Sequence, residues 1–181
     1  MRIAFDREDR HGHQNSHTFY LRYQGPLPAA NDVKVDITIN KVLRFPLQDR
    51  PIHRIYDSFD DLPEGPTVKV CDIKEIVVEK QLALSDRARN EPRDLHDLWY
   101  LFGATDLRIA ELRAELDAKL ALRQRTVADM EQTIAAKEDR PRRLWTKRLA
   151  HQMSQLPPFD DVFREVLRAV RAADLPKTLT Q

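Results

Sequence analysis

Glycine is scarce in this 181-residue chain, which holds only Gly12, Gly25, Gly65 and Gly103, none near another. Average usage of roughly 7% would supply about a dozen. A backbone that approaches a pyrophosphate needs clustered glycines, so no G-x-G-x-x-G fingerprint and no P-loop can be written here. Rossmann cofactor binding and P-loop NTP hydrolysis are thereby excluded. Cysteine is rarer still: Cys71 stands alone, cannot form an internal disulfide and fits a reducing compartment. No apolar run approaches the ~18 residues of a membrane span, and Met1-Arg-Ile-Ala-Phe-Asp6 lacks the shape of a signal peptide. The expectation is a cytoplasmic protein with no membrane segment. A net charge of either sign is missing too. The chain has 30 basic and 29 acidic residues for a formal charge of +1, and its first 70 residues carry ten of each. Non-specific polyanion binding is not its leading feature.

Charge itself is abundant. Charged residues make up 33% of the chain and apolar ones 41%, the profile of a well-solvated, helix-rich protein. The length suits one domain, or one domain with an appendage. Residues 17–23 alternate with Phe19, Leu21 and Tyr23 on one side, and residues 33–39 alternate with Val33, Val35, Ile37 and Ile39 opposed to Lys34, Asp36 and Thr38. Two such runs joined by a short Pro/Gly-containing segment predict an antiparallel pair. Weaker strand signals cover 52–56 and 67–70.

From Asp72 the period becomes helical. Asp72 and Glu75 have capping-box spacing, and Ile73, Ile76, Val77, Lys80 and Leu84 follow at helical intervals. Arg87 and Arg89 lie in a basic loop ended by Pro92. A second helix is expected over 94–102, with Asp94 as its N-cap and Gly103 as its stop. Further helices are expected over 106–123, 128–137, 144–153 and 160–173. Strands first and helices after predict an α+β fold.

Four groups could carry chemistry. Asp36, in mid-strand, is the kind of rigidly held carboxylate a two-metal site uses. Its alternative is the solvated face of a half-buried sheet. Lys80 on a core-facing stripe must reach out of it or find an anion. It could hold a nucleotide phosphate as a point charge, or snorkel at the edge of the stripe. Asp94 and Asp97 share a helical face, either as an acid and its neighbour near Lys80 or as ordinary first-turn carboxylates. Arg140–Arg148, five cations around Trp145, could touch RNA phosphate and stack a base, or bury the Trp in an amphipathic helix. His11, His13 and His17 lack an acid or thiol partner at metal-binding spacing and are read as a solvated loop. His96 is read as a core-edge histidine and Cys71 as a small buried hydrophobe.

Taken in order, V-K-V-D-I-T around Asp36, D-I-K-E-I-V-V-E-K-Q-L-A-L-S-D-R-A-R over 72–89 and P-R-D-L-H-D-L-W-Y-L over 92–101 resemble the AbiEii/AbiGii toxin family. These are nucleotidyltransferase-fold toxins of bacterial toxin–antitoxin and abortive infection systems. Asp36, Lys80, Arg93, Asp94, Asp97 and Leu101 fall on the family's later motifs. The family's first motif, a hydrophobic-G-[G/S] turn followed by D/E-x-D/E, has no counterpart, since Gly12 is followed by His-Gln-Asn-Ser16. The resemblance therefore implies a chain that looks N-terminally truncated. It implies an incomplete nucleotidyltransferase-like antiparallel or mixed sheet over 1–103 and a helical region over 104–181. It further implies NMP transfer from an NTP with Mg2+ to an acceptor such as tRNA, a cognate antitoxin, and little activity from this chain alone. The implied roles are Asp36, Lys80 and Asp94 as catalytic residues, with Asp36 a possible metal ligand in an incomplete site. Lys80, Arg87 and Arg93 become phosphate contacts, and Asp97 an orienting residue. The competing expectation is a non-enzymatic RNA- or antitoxin-binding module built on the Arg87/Arg89/Arg93 loop and the Arg140–Arg148 stretch. An exposed sheet edge would favour homo-oligomers in either case.

Overall fold

The computed structural model describes residues 8–13, 16–24, 28–39, 41–53 and 65–174. It divides into two compact units, Met1–Leu43 and Arg44–Gln181. The secondary structure is α+β, with two antiparallel sheets and six α-helices among the described residues.

The first unit is a three-stranded antiparallel meander of β1 (Glu8–His13), β2 (Ser16–Gln24) and β3 (Ala30–Thr38) in that spatial order. The alternation of β2 and β3 sets the register, pairing Phe19 with Val35 and Leu21 with Val33 on one face and Thr18 with Asp36 on the other. β1 pairs along β2 from Glu8↔Leu21 to His13↔Ser16, so His11 and His13 lie in a strand and not in a loop. Its polar sequence around Gly12 has no apolar alternation. Backbone pairing with a strongly patterned neighbour recruits it.

The second unit begins with a short ribbon of β4 (Gln48–Pro51) and β5 (Thr67–Val70). β5 falls where expected, whereas its partner lies earlier than the 52–56 expectation; residues 54–56 lie outside the described residues. Beyond Pro51↔Thr67 the Ile52 N–H still donates to the Pro66 carbonyl at 3.0 Å, but Pro66 has no N–H to return.

Helix α1 (Ile73–Ser85) is capped by Asp72, whose side chain accepts the Lys74 N–H at 2.8 Å. Glu75 does not complete a capping box. Its side chain is buried and turned to Lys119 of another helix and to the N–H groups of Arg44 (2.9 Å) and Phe45 (3.2 Å). That turn rotates the expected stripe. Val77, Val78, Leu82 and Leu84 are buried, while Ile73 and Ile76 are exposed at 39% and 37%.

Helix α2 (Pro92–Ala104) starts two residues before the expected Asp94 cap, with Pro92 in the first turn, where its missing N–H costs nothing. Gly103 sits inside its last turn and not beyond it. The helix ends at Thr105, whose hydroxyl donates to the Leu101 carbonyl at 2.6 Å. A 3-10 turn (Ile109–Leu112) leads into α3 (Arg113–Ala121), followed by α4 (Val127–Ala136), α5 (Asp139–Leu149) and α6 (Phe159–Asp174). α1 packs on α2, α3 and α4, and α6 packs on α2, α4 and the 3-10 turn. Val162, Val166 and Val170 of α6 are fully buried, each worth about 1.5–3 kcal/mol relative to exposure. These contacts hold α1 and α2 side by side.

Candidate functional site

The N-terminal half of α2 lies against the C-terminal half of α1, and there two charged stretches of sequence meet. Lys80 of α1 donates to Asp94 Oδ1 at 2.9 Å and to Asp97 Oδ2 at 2.5 Å. Asp94 and Asp97, one helical turn apart on α2, present their carboxylates on one face. Asp94 also accepts Arg89 Nε at 2.5 Å on Oδ2 and Arg89 Nη2 at 3.2 Å on Oδ1. Both Asp94 oxygens are thus engaged by cations, with the side chain only 1% exposed. Burial alone would push the Asp94 carboxyl up, but hydrogen bonds from Arg89 and Lys80 bring it below the usual carboxylate range. An acid so held is ionised and occupied. It orients cations and is not free to take a proton.

Lys80 is less enclosed, at 22% side-chain exposure. An ammonium has three N–H donors; two are spent on carboxylates and a third remains. Asp97 is half-buried, with His96 Nδ1 at 3.9 Å from its other oxygen. His96 is half-buried among Trp99, Tyr100 and Trp145, which matches a core-edge residue. Arg93 is exposed and has no partner among the described residues, and Arg87 is exposed on the loop before α2. Cys71 is half-buried and not fully enclosed.

The loop joining the two helices is braced from α4. Lys137 donates to the carbonyls of Leu84 (2.9 Å), Asp86 (2.5 Å) and Arg89 (2.7 Å). Arg125 donates to the Ser85 carbonyl and to Thr133 Oγ1 at 2.7 Å. From sequence Arg89 is a cation of the basic loop, expected to face RNA or an antitoxin, and no pairing with Asp94 is assigned to it. Its pairing with Asp94 had one local signal, an arginine just before a proline-started helix whose first turn carries an acid.

Asp36 stands in the meander with partners of its own. Thr18, directly across the ladder, donates to Oδ1 at 2.6 Å, and Lys34 lies 2.9 Å from Oδ2. The Thr18 hydroxyl, then Lys34, holds its carboxyl below the usual range. The side chain is 56% exposed. It occupies the polar face of the sheet, beside the exposed Arg22–Asp32 pair at 3.1 Å.

Among the described residues no group of three His, Cys, Asp or Glu is placed to hold a metal ion. Asp94 and Asp36 each already have both oxygens engaged, so neither offers a ready ligand. Trp145 is 4% exposed and its Nε1 donates to the Pro157 carbonyl at 2.9 Å; it is a core residue and cannot stack a base. Around it, Arg142 is held by Glu138 and Asp160 at 2.5 and 2.6 Å. Arg140, Arg143 and Lys147 are exposed on the opposite face of α5 with no partner among the described residues. A 320 Å3 cavity lined by Phe102, Thr105, Leu107 and Ala172 lies at the far end of α2 from Asp94.

Compared with known proteins, residues 1–167 match the family model described as nucleotidyl transferase AbiEii toxin, type IV toxin–antitoxin system. No curated protein and no solved structure matches the chain.

Proposed function

Because the chain belongs to the AbiEii nucleotidyltransferase toxin family, we propose that the Lys80 cluster is the phosphate-holding side of a nucleotide site. The observation that carries this reading is the convergence of Lys80, Asp94, Asp97 and Arg89 at one partly open point. In it, the third N–H of Lys80 meets a phosphate oxygen. Asp94 and Asp97 aim the ammonium, and the exposed Arg87 and Arg93 add positive charge at the mouth. By family resemblance alone Asp36 is assigned the role of a carboxylate near the attacking hydroxyl; with its oxygens taken by Thr18 and Lys34 it is not assigned a metal. Phosphoryl chemistry of this kind is mostly positioning and charge neutralisation.

A nucleotidyltransferase family implies divalent metal use, with Mg2+ the ion we assign. The described residues offer it no ligand set, so no step is routed through it. The acceptor we assign is a tRNA, and the regulating partner a cognate antitoxin. Since the 181 residues hold no glycine turn followed by D/E-x-D/E, we expect this chain alone to bind nucleotide but to transfer little or none of it. Strand β3, one of the two outer strands of its sheet, is assigned as an edge through which copies pair.

Calorimetry with ATP and Mg2+, beside labelling of total tRNA from labelled NTPs, tests this. Expected are measurable ATP binding that Lys80→Ala removes, and no appreciable labelling. Absence of ATP binding overturns the phosphate site. Robust labelling abolished by Asp36→Asn overturns the expected inactivity. A second reading, a non-enzymatic RNA-binding module, draws on the unpaired Arg140, Arg143 and Lys147 of α5. It forecasts RNA binding that weakens with salt and survives Lys80→Ala.

A further inference from the structure

Helix α1 ends without a cation of its own: no basic residue lies in its last turn. The last carbonyls of a helix are unsatisfied and carry its negative pole, so cations are expected there. They come from elsewhere in the chain. Gln124, in a left-handed conformation (φ 54), closes the turn after α3 and delivers Arg125, which reaches the Ser85 carbonyl. Lys137, at the C-cap of α4, reaches the Leu84 carbonyl.

Lys137 does more than cap. Its other two donors go to the carbonyls of Asp86 and Arg89, so three oxygens spanning six residues of chain converge on one ammonium. A lysine has three donors and no acceptor, and this one is saturated. The loop is also tied within itself, Ala88 N–H donating to Asp86 Oδ1 at 2.9 Å and Asn90 Nδ2 to the Ala88 carbonyl at 3.2 Å. The backbone of Arg89 is therefore gripped by Lys137 while its guanidinium grips Asp94. Asp94 in turn shares Oδ1 between Arg89 and Lys80.

We infer that Lys137 is a positioning residue: by gathering the Leu84, Asp86 and Arg89 carbonyls it sets where Arg89 meets Asp94, and through Asp94 it aims Lys80. It touches no substrate. Arginine cannot replace it, because a planar guanidinium cannot bring three donors to one point as an ammonium does. The link to nucleotide binding rests on the reading proposed above, while the link to Arg89 does not.

The test uses NMR of the full chain, following solvent exchange of the Arg89 Nε–H and titration of the Asp94 carboxyl, with ATP calorimetry and urea unfolding alongside. In Lys137→Met, Arg89 Nε–H exchange should quicken about tenfold or more, the Asp94 midpoint should rise toward the ordinary value, and ATP affinity should fall roughly tenfold. Lys137→Arg should show the same losses, and Lys137→Gln serves if Lys137→Met does not fold. Recovery of slow exchange in Lys137→Arg, or a lower urea midpoint with Arg89 exchange unchanged in the folded protein, overturns the assignment. Faster Arg89 exchange with unchanged ATP affinity overturns the link to Lys80. If the wild-type chain binds no ATP, the nucleotide reading fails, and Arg89 exchange still decides the positioning role.

Discussion

Two lysines in the helical unit each meet two carboxylates, and they differ in what surrounds them. Lys119 of α3 lies between Glu75 and Glu79 of α1 at 5% exposure, and Glu75 takes the Arg44 and Phe45 N–H groups as well. Lys80, one residue after Glu79, lies between Asp94 and Asp97 at 22% exposure. In the first group the ammonium and Glu75 are closed off within the protein, and only Glu79 reaches solvent, at 28% exposure. The second is enclosed on the Asp94 side and open on the Lys80 side. A lysine between two carboxylates thus serves cohesion in one place and, in the proposed reading, recognition in the other, the difference being how far the ammonium itself meets solvent.

The largest loss of stability is expected at the Lys119 group. Lys119→Met leaves Glu75 as a buried, under-compensated charge, and urea unfolding should show a loss of about 3–5 kcal/mol. Asp94→Asn comes next, since it weakens the three charge-assisted hydrogen bonds that Lys80 and Arg89 give to one buried oxygen pair. A loss of about 1.5–3 kcal/mol is expected by the same measurement, together with loss of ATP binding by calorimetry.

Acid should act on both groups in the same direction. Burial would raise the Glu75 carboxyl, but Lys119 and the two backbone N–H groups bring it below its ordinary value, as the cations do for Asp94. A carboxyl depressed in the folded state contributes stability above its unfolded pKa, about 3.9 for Asp and 4.3 for Glu, and loses it as pH falls through the folded value. Unfolding free energy from these two groups should be flat above about pH 5 and drop below about pH 4. Asp94→Asn should flatten part of that drop. The smallest effect on stability belongs to Lys80→Ala, because Arg89 still compensates Asp94. Less than about 1 kcal/mol should be lost, while ATP affinity falls at least about tenfold. A large loss of stability with no change in ATP affinity would make the two lysines alike and remove the distinction.

Much of the fold was legible wherever a local period was strong. β2 and β3 follow from alternation, α6 from its helical stripe of valines, β5 from a weaker strand signal, and Lys80 near Asp94 from the order of motifs. Glu8–His13 carried no period and became a strand through its neighbour. Glu75 looked like a capping acid because capping spacing and burial against a distant lysine leave the same mark on a sequence. Asp94 looked like an N-cap because a proline two residues earlier reads equally well as a loop's end or a helix's first turn.

By itself the sequence determined the kinds of element, their order, the absence of glycine-rich phosphate loops and the family. These depend on residues within a turn or a strand of one another, or on motif order along the chain. Only the tertiary structure decided which charges are buried and with whom: Glu75 with Lys119 across 44 residues, and Lys137 with the Arg89 carbonyl across 48. The strength of an ion pair depends on separation in space and on the water excluded around it, and no spacing along the chain encodes either one.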